Sequence, residues 1–316
     1  MIIYELNKTI NEFNNCLIIW SEIMFVVRIW EGLGNQMFQY AYARNLQKKT
    51  GSKVYLEGRR IYRKALTGED LIIERKCELI NFNLKLKFIN PKYLSKWNYL
   101  EQRTFYQKIR YSFAINGIGN YGIITDQKDQ CAYHQELMDI HKNMYIMGHF
   151  LNKKYFESIK EELLEEFSLK NNIILPETIR ERFKAFDTVS IHIRRGDYLY
   201  VEHAQRINRE MKSGHYYERA ITYIAKKIKN PCFLFFSDDI AWVKENIFCP
   251  YEHIYISDRG FKDYEEMMLM SYCDHNIIAH STFSYWGAWL NQNKEKIVIY
   301  PKHWLPSIIP EGWIRM

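Results

Sequence analysis

T-V-S-I-H-I-R-R-G-D-Y, residues 188–198, decides the fold reading of this chain. Successive residues of a strand point to opposite faces, so Val189, Ile191 and Ile193 face one way and Ser190, His192 and Arg194 the other. His192 and Arg194 therefore project together. Gly196 lets the backbone turn, which leaves Arg195 and Asp197 where the strand runs out, at its carboxyl end. In open α/β sheets that end is where ligands bind. Two arginines there are aimed at a charged ligand, a phosphate group foremost. The competing reading is a surface Arg-Arg-Gly-Asp turn over a core histidine, since Arg and Asp are mostly exposed residues.

Downstream, strands and helices alternate. A helix is expected near Tyr216 to Lys229, and the apolar run Cys232 to Phe236 ends in Ser237, Asp238 and Asp239. A second helix near Tyr264 to Cys273 leads into Ile277, Ile278 and Ala279, and the chain then passes through His280, Ser281 and Thr282 into a helix from Phe283 to Asn291. This alternation predicts a parallel sheet covered on both faces. Asp238 and Asp239 can accept hydrogen bonds from ribose hydroxyls or a guanine N–H edge, and one of them equally fits the cap of a helix starting at Ile240. Ser281 and Thr282 open a helix whose first N–H groups form an anion site; a plain cap uses the same geometry. Phe283, Tyr285, Trp286 and Trp289 read as core packing. The acidic pair is D-D, without the D-x-D spacing of a Mg²⁺ or Mn²⁺ site, and arginines can neutralise phosphate instead, so no metal is expected.

Working back to the N-terminal half, a strand from Phe25 to Trp30 runs into E-G-L-G-N-Q, where Gly32 and Gly34 allow a tight turn. The helix after it carries Phe38, Ala41, Tyr42 and Leu46 on one face and stops at Gly51. As a dinucleotide fingerprint this is weak, because position 37 is Met where the third glycine belongs. Residues 52–145 carry no motif of nameable chemistry and are expected to bear acceptor recognition. A helix is expected across Lys153 to Phe167, with a stripe at Phe156, Ile159, Leu163 and Phe167, and a linker around Asn171, Asn172 and Pro176.

The chain has 316 residues, 47% of them hydrophobic, which favours two domains. A net charge of +7 permits contact with nucleic acid, anionic lipid or an anionic small molecule. Lys and Arg are spread along the chain and no nucleic-acid-binding signature is present, so a nucleic-acid partner is not expected. The densest basic patch, Lys53 to Lys64 with Arg59, Arg60 and Arg63, is a solvated face or a surface for membrane or an acidic acceptor. Cysteines at 16, 77, 131, 232, 249 and 273 form no C-x-x-C pair and fit a reducing compartment. The apolar stretch Cys16 to Trp30 is broken by Ser21, Glu22 and Arg28 and reads as neither signal peptide nor membrane span.

Four segments together, G-L-G-N-Q-M-F-Q-Y-A at 32–41, H-I-R-R-G-D-Y at 192–198, F-S-D-D at 236–239 and N-I-I-A-H-S-T-F-S-Y-W-G-A-W-L at 276–290, closely resemble the bacterial α-1,2-fucosyltransferases of glycosyltransferase family 11. The match runs from about residue 24 to 304, and the H-x-R-R element also resembles that of α-1,6- and protein O-fucosyltransferases. The resemblance implies a GT-B fold, α/β, with two Rossmann-like domains facing across a cleft. A 1–23 extension would precede an acceptor-side domain at 24–168 and a GDP-sugar-binding domain at 169–316. It further implies inverting, metal-independent transfer of L-fucose from GDP-fucose to the 2-hydroxyl of a terminal galactose, on a surface-glycan precursor at the cytoplasmic side, with peripheral membrane association. Arg194 would hold the β-phosphate, helped by His192 and Arg195. Ser281, Thr282 and Phe283 would meet the diphosphate, Asp238 or Asp239 the guanosine, and the loop of Gly32, Gly34, Asn35 and Gln36 would face the cleft. Asp197 and Glu202 are the candidates for the general base. The chain departs from the family pattern at Glu31 (usually Gly), His280 (usually Asn) and Tyr285 (often Trp). Residues 1–23 precede the family's usual start and are expected to be dispensable, with Met24 a natural initiator. The rivals are another GDP-sugar-dependent GT-B transferase and a non-catalytic glycan or nucleic-acid binding protein.

Overall fold

A computed structural model describes residues 23–58, 62–64, 72–74, 76–126, 129–196 and 214–316. Asp197, Glu202, Arg59, Arg60 and the extension up to residue 22 lie outside the described residues. The first sheet is five-stranded and wholly parallel. Its central strand β1 (Met24–Arg28) lies between β2 (Lys53–Glu57) and β7 (Asn143–Met147), with β5 (Lys87–Phe88) beyond β2 and β6 (Tyr121–Thr125) beyond β7. β3 (Tyr62–Lys64) and β4 (Ile72–Glu74) form a separate antiparallel pair. The second sheet is six-stranded and parallel, in the order β10 (Glu252–Tyr255), β9 (Pro231–Ser237), β8 (Asp187–Ile193), β11 (His275–Ile277), β12 (Val298–Tyr300), β13 (Ile314–Arg315). Two parallel sheets with helices against them bear out the α/β expectation, and 188–193 lies in one of the two central strands of its sheet.

Strand alternation divides the packing around the first sheet. Phe25 and Val27 point into one apolar cluster and Val26 into another, with Trp97, Ile123 and Tyr145. On the first side lies α1 (Leu33–Thr50), buried on every face over most of its length and ended by Gly51 at a φ of 68°, whose N–H bonds the Gln47 carbonyl. A helix buried all round needs a partner on its far side as well. That partner is α8 (Thr282–Leu290), reached after α2 (Phe105–Ile115), α3 (Lys160–Glu166), α4 (Glu177–Ala185), α5 (His215–Ala225), α6 (Ile240–Asn246) and α7 (Asp263–Tyr272). Phe38 of α1 stacks on Tyr285 with ring centroids 5.2 Å apart and meets Trp286 at 4.8 Å. One apolar cluster therefore runs from the first sheet through α1 to α7 and α8, with the aromatic run of α8 in it.

The single helix expected over 153–167 is broken. Two short 3-10 turns, Lys153–Tyr155 and Glu157–Ile159, precede α3, because Phe156 between them has a non-helical φ of −144°. Its stripe still works as expected, with Phe156, Ile159, Leu163 and Phe167 all buried. The five described cysteines are free.

Candidate active site

Three neighbouring strands of the second sheet end side by side. β8 runs out into Arg194, Arg195 and Gly196; β9 into Asp238 and Asp239; β11 through His280 into Ser281 and α8. Asp238 ties the first two ends together. Its carboxylate pairs with Arg194 at 2.8 Å and accepts from the Arg195 backbone N–H at 2.9 Å. A side chain at Gly196 would place its Cβ 2.5 Å from that same carboxylate, which would have to shift to make room for it.

Asp239 does two jobs. It caps α6 by accepting from the Trp242 N–H at 3.2 Å, and its other oxygen binds Arg195 Nε at 3.0 Å. Trp242 on that helix lies under the Arg195 guanidinium, 3.7 Å from the ring centroid. Arg195 is thus clamped in position, whereas Arg194 is held by a carboxylate that a phosphate oxygen can replace.

His192 lies below the arginines, buried, with its ring 5.4 Å from that of Phe283 in the first turn of α8. Burial and then the Arg194 charge push its pKa down to about 3, so it is a neutral imidazole. Its Nδ1 is buried with no hydrogen-bond partner among the described residues. Ser281 caps α8, accepting from the Phe283 N–H at 3.3 Å. His192, Arg194, Arg195, Asp238, Asp239, Ser281 and Phe283 are therefore brought to one edge of one sheet.

The glycine loop of the first sheet closes on this edge. A Cβ on Gly34 would lie 2.4 Å from the Thr282 carbonyl carbon and 2.5 Å from the Phe283 nitrogen. The Gly34 carbonyl also accepts from Trp286 Nε1 at 2.9 Å. Gly34 thus permits close approach of two backbones and supplies no unusual turn. The left-handed residue of the loop is Glu31, with a φ of 65°, while Gly32 sits at −77°. That is the physical reason glycine suits position 31, and a glutamate there carries backbone strain. Its side chain is held in return: Asn35 Nδ2 donates to the carboxylate, and His149 Nε2, at the end of β7, lies 3.1 Å from it. Gln36 is fully buried, donating to the Glu31 and Lys76 carbonyls at 2.8 and 2.9 Å and accepting from the Glu78 N–H. Its amide shapes the loop and does not face the cleft. The sequence reading missed Trp242, His149 and the structural role of Gln36; it marked Glu31 as a departure from the family's glycine, and the positive φ there shows what that departure costs.

Arginines and a helix N-terminus at the ends of parallel strands, closed by a glycine loop from a second parallel sheet, define a two-sheet α/β protein of the GT-B class. The fold is that of a mutant of Arabidopsis thaliana FUT1 in complex with GDP, at a TM-score of 0.51 and 13% identity over 89% of this chain and 70% of that one. The family model of glycosyl transferase family 11 matches residues 21–307, and the chain belongs to that family. It is 30% identical to the O-antigen biosynthesis glycosyltransferase WbnK of Escherichia coli, over 90% of this chain and 98% of that protein. It is also 30% identical to the alpha-1,2-colitosyltransferase of Escherichia coli, over 92% and 98%.

Proposed function

We propose that this protein transfers L-fucose from GDP-fucose, with inversion and without a metal ion, to the 2-hydroxyl of a terminal galactose on a surface-glycan precursor at the cytoplasmic face of the membrane. The observation that carries the reading is the arginine pair at the end of β8, beside the N-terminus of α8, in a family 11 chain. Fucosyl transfer develops oxocarbenium character on the sugar while the diphosphate leaves with growing negative charge. Arg194 exchanges Asp238 for a phosphate oxygen, and Arg195, fixed by Asp239 and Trp242, sets the angle of approach. Neutral His192 adds a nitrogen without adding charge. The acceptor proton passes to a carboxylate, for which Asp197 and Glu202 remain the candidates.

A second donor has its own support. The relative named an alpha-1,2-colitosyltransferase is as similar to this chain as WbnK, so another GDP-sugar is the alternative. The test is GDP release in EDTA from GDP-fucose with β-galactoside acceptors. Release is expected; none with any β-galactoside, while another GDP-sugar is consumed, overturns the donor. Arg194→Ala is expected to cut turnover about 100-fold or more. Glycan binding left intact by Arg194→Ala in a protein with no turnover would instead favour a non-catalytic binding protein.

A further inference from the structure

The outer layer of the first sheet inverts the usual distribution of side chains. α2 and the 3-10 turns of Pro91–Glu101 cover the face of that sheet opposite α1, and their inner side is ordinary: Leu94, Trp97 and Ala114 are buried and Tyr111 packs beside them. The outer side is apolar too. Phe105 is 79% exposed, Tyr106 68%, Ile109 37% and Phe113 52%. At about 100° per residue these four fall within one arc of about 100°, on the side of the helix away from Ala114 and Tyr111. Ile118, just past the helix, is also exposed.

This ridge does not come from a helix too weak to be placed elsewhere. Thr104 and Gln107 form a capping box at its start, so its N-terminus is fixed. A contiguous exposed apolar ridge on a well-capped helix marks a surface that meets something other than water.

Charge identifies what it meets. Between Lys85 and Asn120 seven cations stand against one carboxylate, so six of the chain's seven net positive charges lie in 36 residues. Lys108 and Arg110 flank the ridge on α2, Arg103 precedes its cap, and Lys92 and Lys96 lie on the turns it packs against. Arg110 lies over the Tyr106 ring at 5.9 Å. An apolar helix face rimmed by Lys and Arg is the chemistry of an amphipathic helix in the plane of an anionic bilayer. A second copy of this chain would bring two such positive faces together, and a nucleic acid is bound on aromatic platforms in a groove rather than on a ridge with Ile109 and Ile118 in it. Among the described residues no helix is long and apolar enough to cross a membrane, so contact through this face is interfacial.

We propose that α2 docks this enzyme on a membrane surface rich in anionic lipid, with Phe105, Ile109 and Phe113 in the headgroup boundary and the surrounding cations on the phosphates. The helix runs through a five-residue turn into β6, so it is antiparallel to that strand and its Phe105 end lies toward the carboxyl edge where the glycine loop sits. Docking there brings the acceptor side of the cleft to a lipid-linked glycan. The purpose rests on the reading under Proposed function; the docking itself does not.

Flotation of the full chain with vesicles tests it. Binding is expected to vesicles of 30% phosphatidylglycerol, and at least 10-fold weaker binding to pure phosphatidylcholine. The triple variant Phe105→Ser, Ile109→Ser, Phe113→Ser changes only exposed side chains; it is expected to lose binding at least 10-fold while turnover of a water-soluble galactoside is kept. Should that variant fold poorly, Lys92→Glu with Lys96→Glu and Lys108→Glu asks the same question and is expected to abolish binding to the anionic vesicles. Absence of flotation by the wild type, equal binding to neutral vesicles, or a concentration-dependent dimer that the serine variant abolishes would each overturn the proposal. Vesicle binding and soluble turnover are read separately, so failure of one is distinguishable from failure of the other.

Discussion

The carboxyl edge of the second sheet and the outer layer of the first dispose of the same residue types in opposite ways. At the edge, charged groups are packed against one another, Arg194 on Asp238 and Arg195 between Asp239 and Trp242, and the apolar residues beneath them are buried. On the outer layer Phe105, Ile109 and Phe113 stand in the open and the cations surround them. Charges that are fixed in place recognise a ligand of fixed shape, because their geometry is settled before it arrives. Exposed apolar groups with long cationic side chains around them suit a soft, extended surface, where position matters less than area and sign.

The largest expected effect lies where the first region is assembled. Gly34→Ala puts a methyl group 2.4–2.6 Å from backbone and hydroxyl atoms of Thr282 and Phe283, and no rotamer can relieve it. α1 and α8 must separate, at a cost of about 3 kcal/mol. The urea midpoint should fall accordingly, and turnover with it, because the glycine loop moves off the carboxyl edge of the second sheet. Gly32→Ala is the control: nothing lies within 4 Å and its φ of −77° suits alanine, so it should stay within about 1 kcal/mol of wild type. Equal stability of the two variants would show that the seam between the sheets is loose, and the contrast of packed edge and open layer would fail.

Legibility in the sequence follows the same division. The segment 188–194 could be read because its pattern is local: alternation, a glycine and two arginines fix a strand and its end, and the structure differs from it by one residue at each boundary. α8 was equally plain, with Ser281 before an aromatic run. The role of Gln36 was not, since its partners Lys76 and Glu78 are distant in sequence and their backbone groups carry no residue signature. The glycine loop was misread in one respect. Glycines suggest unusual backbone angles, yet the left-handed position fell on Glu31, and Gly34 serves an approach by α8 that lies about 250 residues away. Residues 85–120 read as featureless because their meaning depends on which side of α2 faces the sheet, and periodicity alone cannot tell an inward apolar stripe from an outward one.

Acidification separates the two regions next. His192 has a folded pKa of about 3 against 6.5 when free, so the unfolded chain binds the extra proton between those values. Stability therefore rises with pH in that window and is lost as pH falls below 6.5, by about 2 kcal/mol at pH 5 for this residue. His280, pushed down to about 4 by burial and then by His303, acts in the same direction; Glu266, raised to about 7 chiefly by burial, acts in the opposite one. Both remain in His192→Gln, so the difference between the two proteins isolates one group. Urea midpoints at pH 7, 6 and 5 should decline less steeply in the variant, whatever constant offset the changed packing adds. Parallel curves would mean that His192 is not held neutral. Residues 85–120 contain no histidine, and the vesicle binding of His192→Gln should match wild type at pH 7.

Exchanging one cation for another gives the smallest effect and the sharpest version of the comparison. Arg195→Lys keeps the charge but loses the planar group that lies 3.7 Å over Trp242 while bonding Asp239 through Nε. An ammonium can replace one of these contacts but not both at once. The KM for the GDP-sugar should rise about 5-fold, equivalent to about 1 kcal/mol, with kcat changed less. Trp242→Ala should produce a similar rise and add little on top of Arg195→Lys, because both remove the same stacked contact. Lys108→Arg on the outer layer makes the reverse exchange at a position that acts by sign alone, and vesicle binding should not change. If Arg195→Lys leaves KM within 2-fold, the carboxyl edge works by charge as the outer layer does, and the distinction between a fixed site and a soft surface disappears.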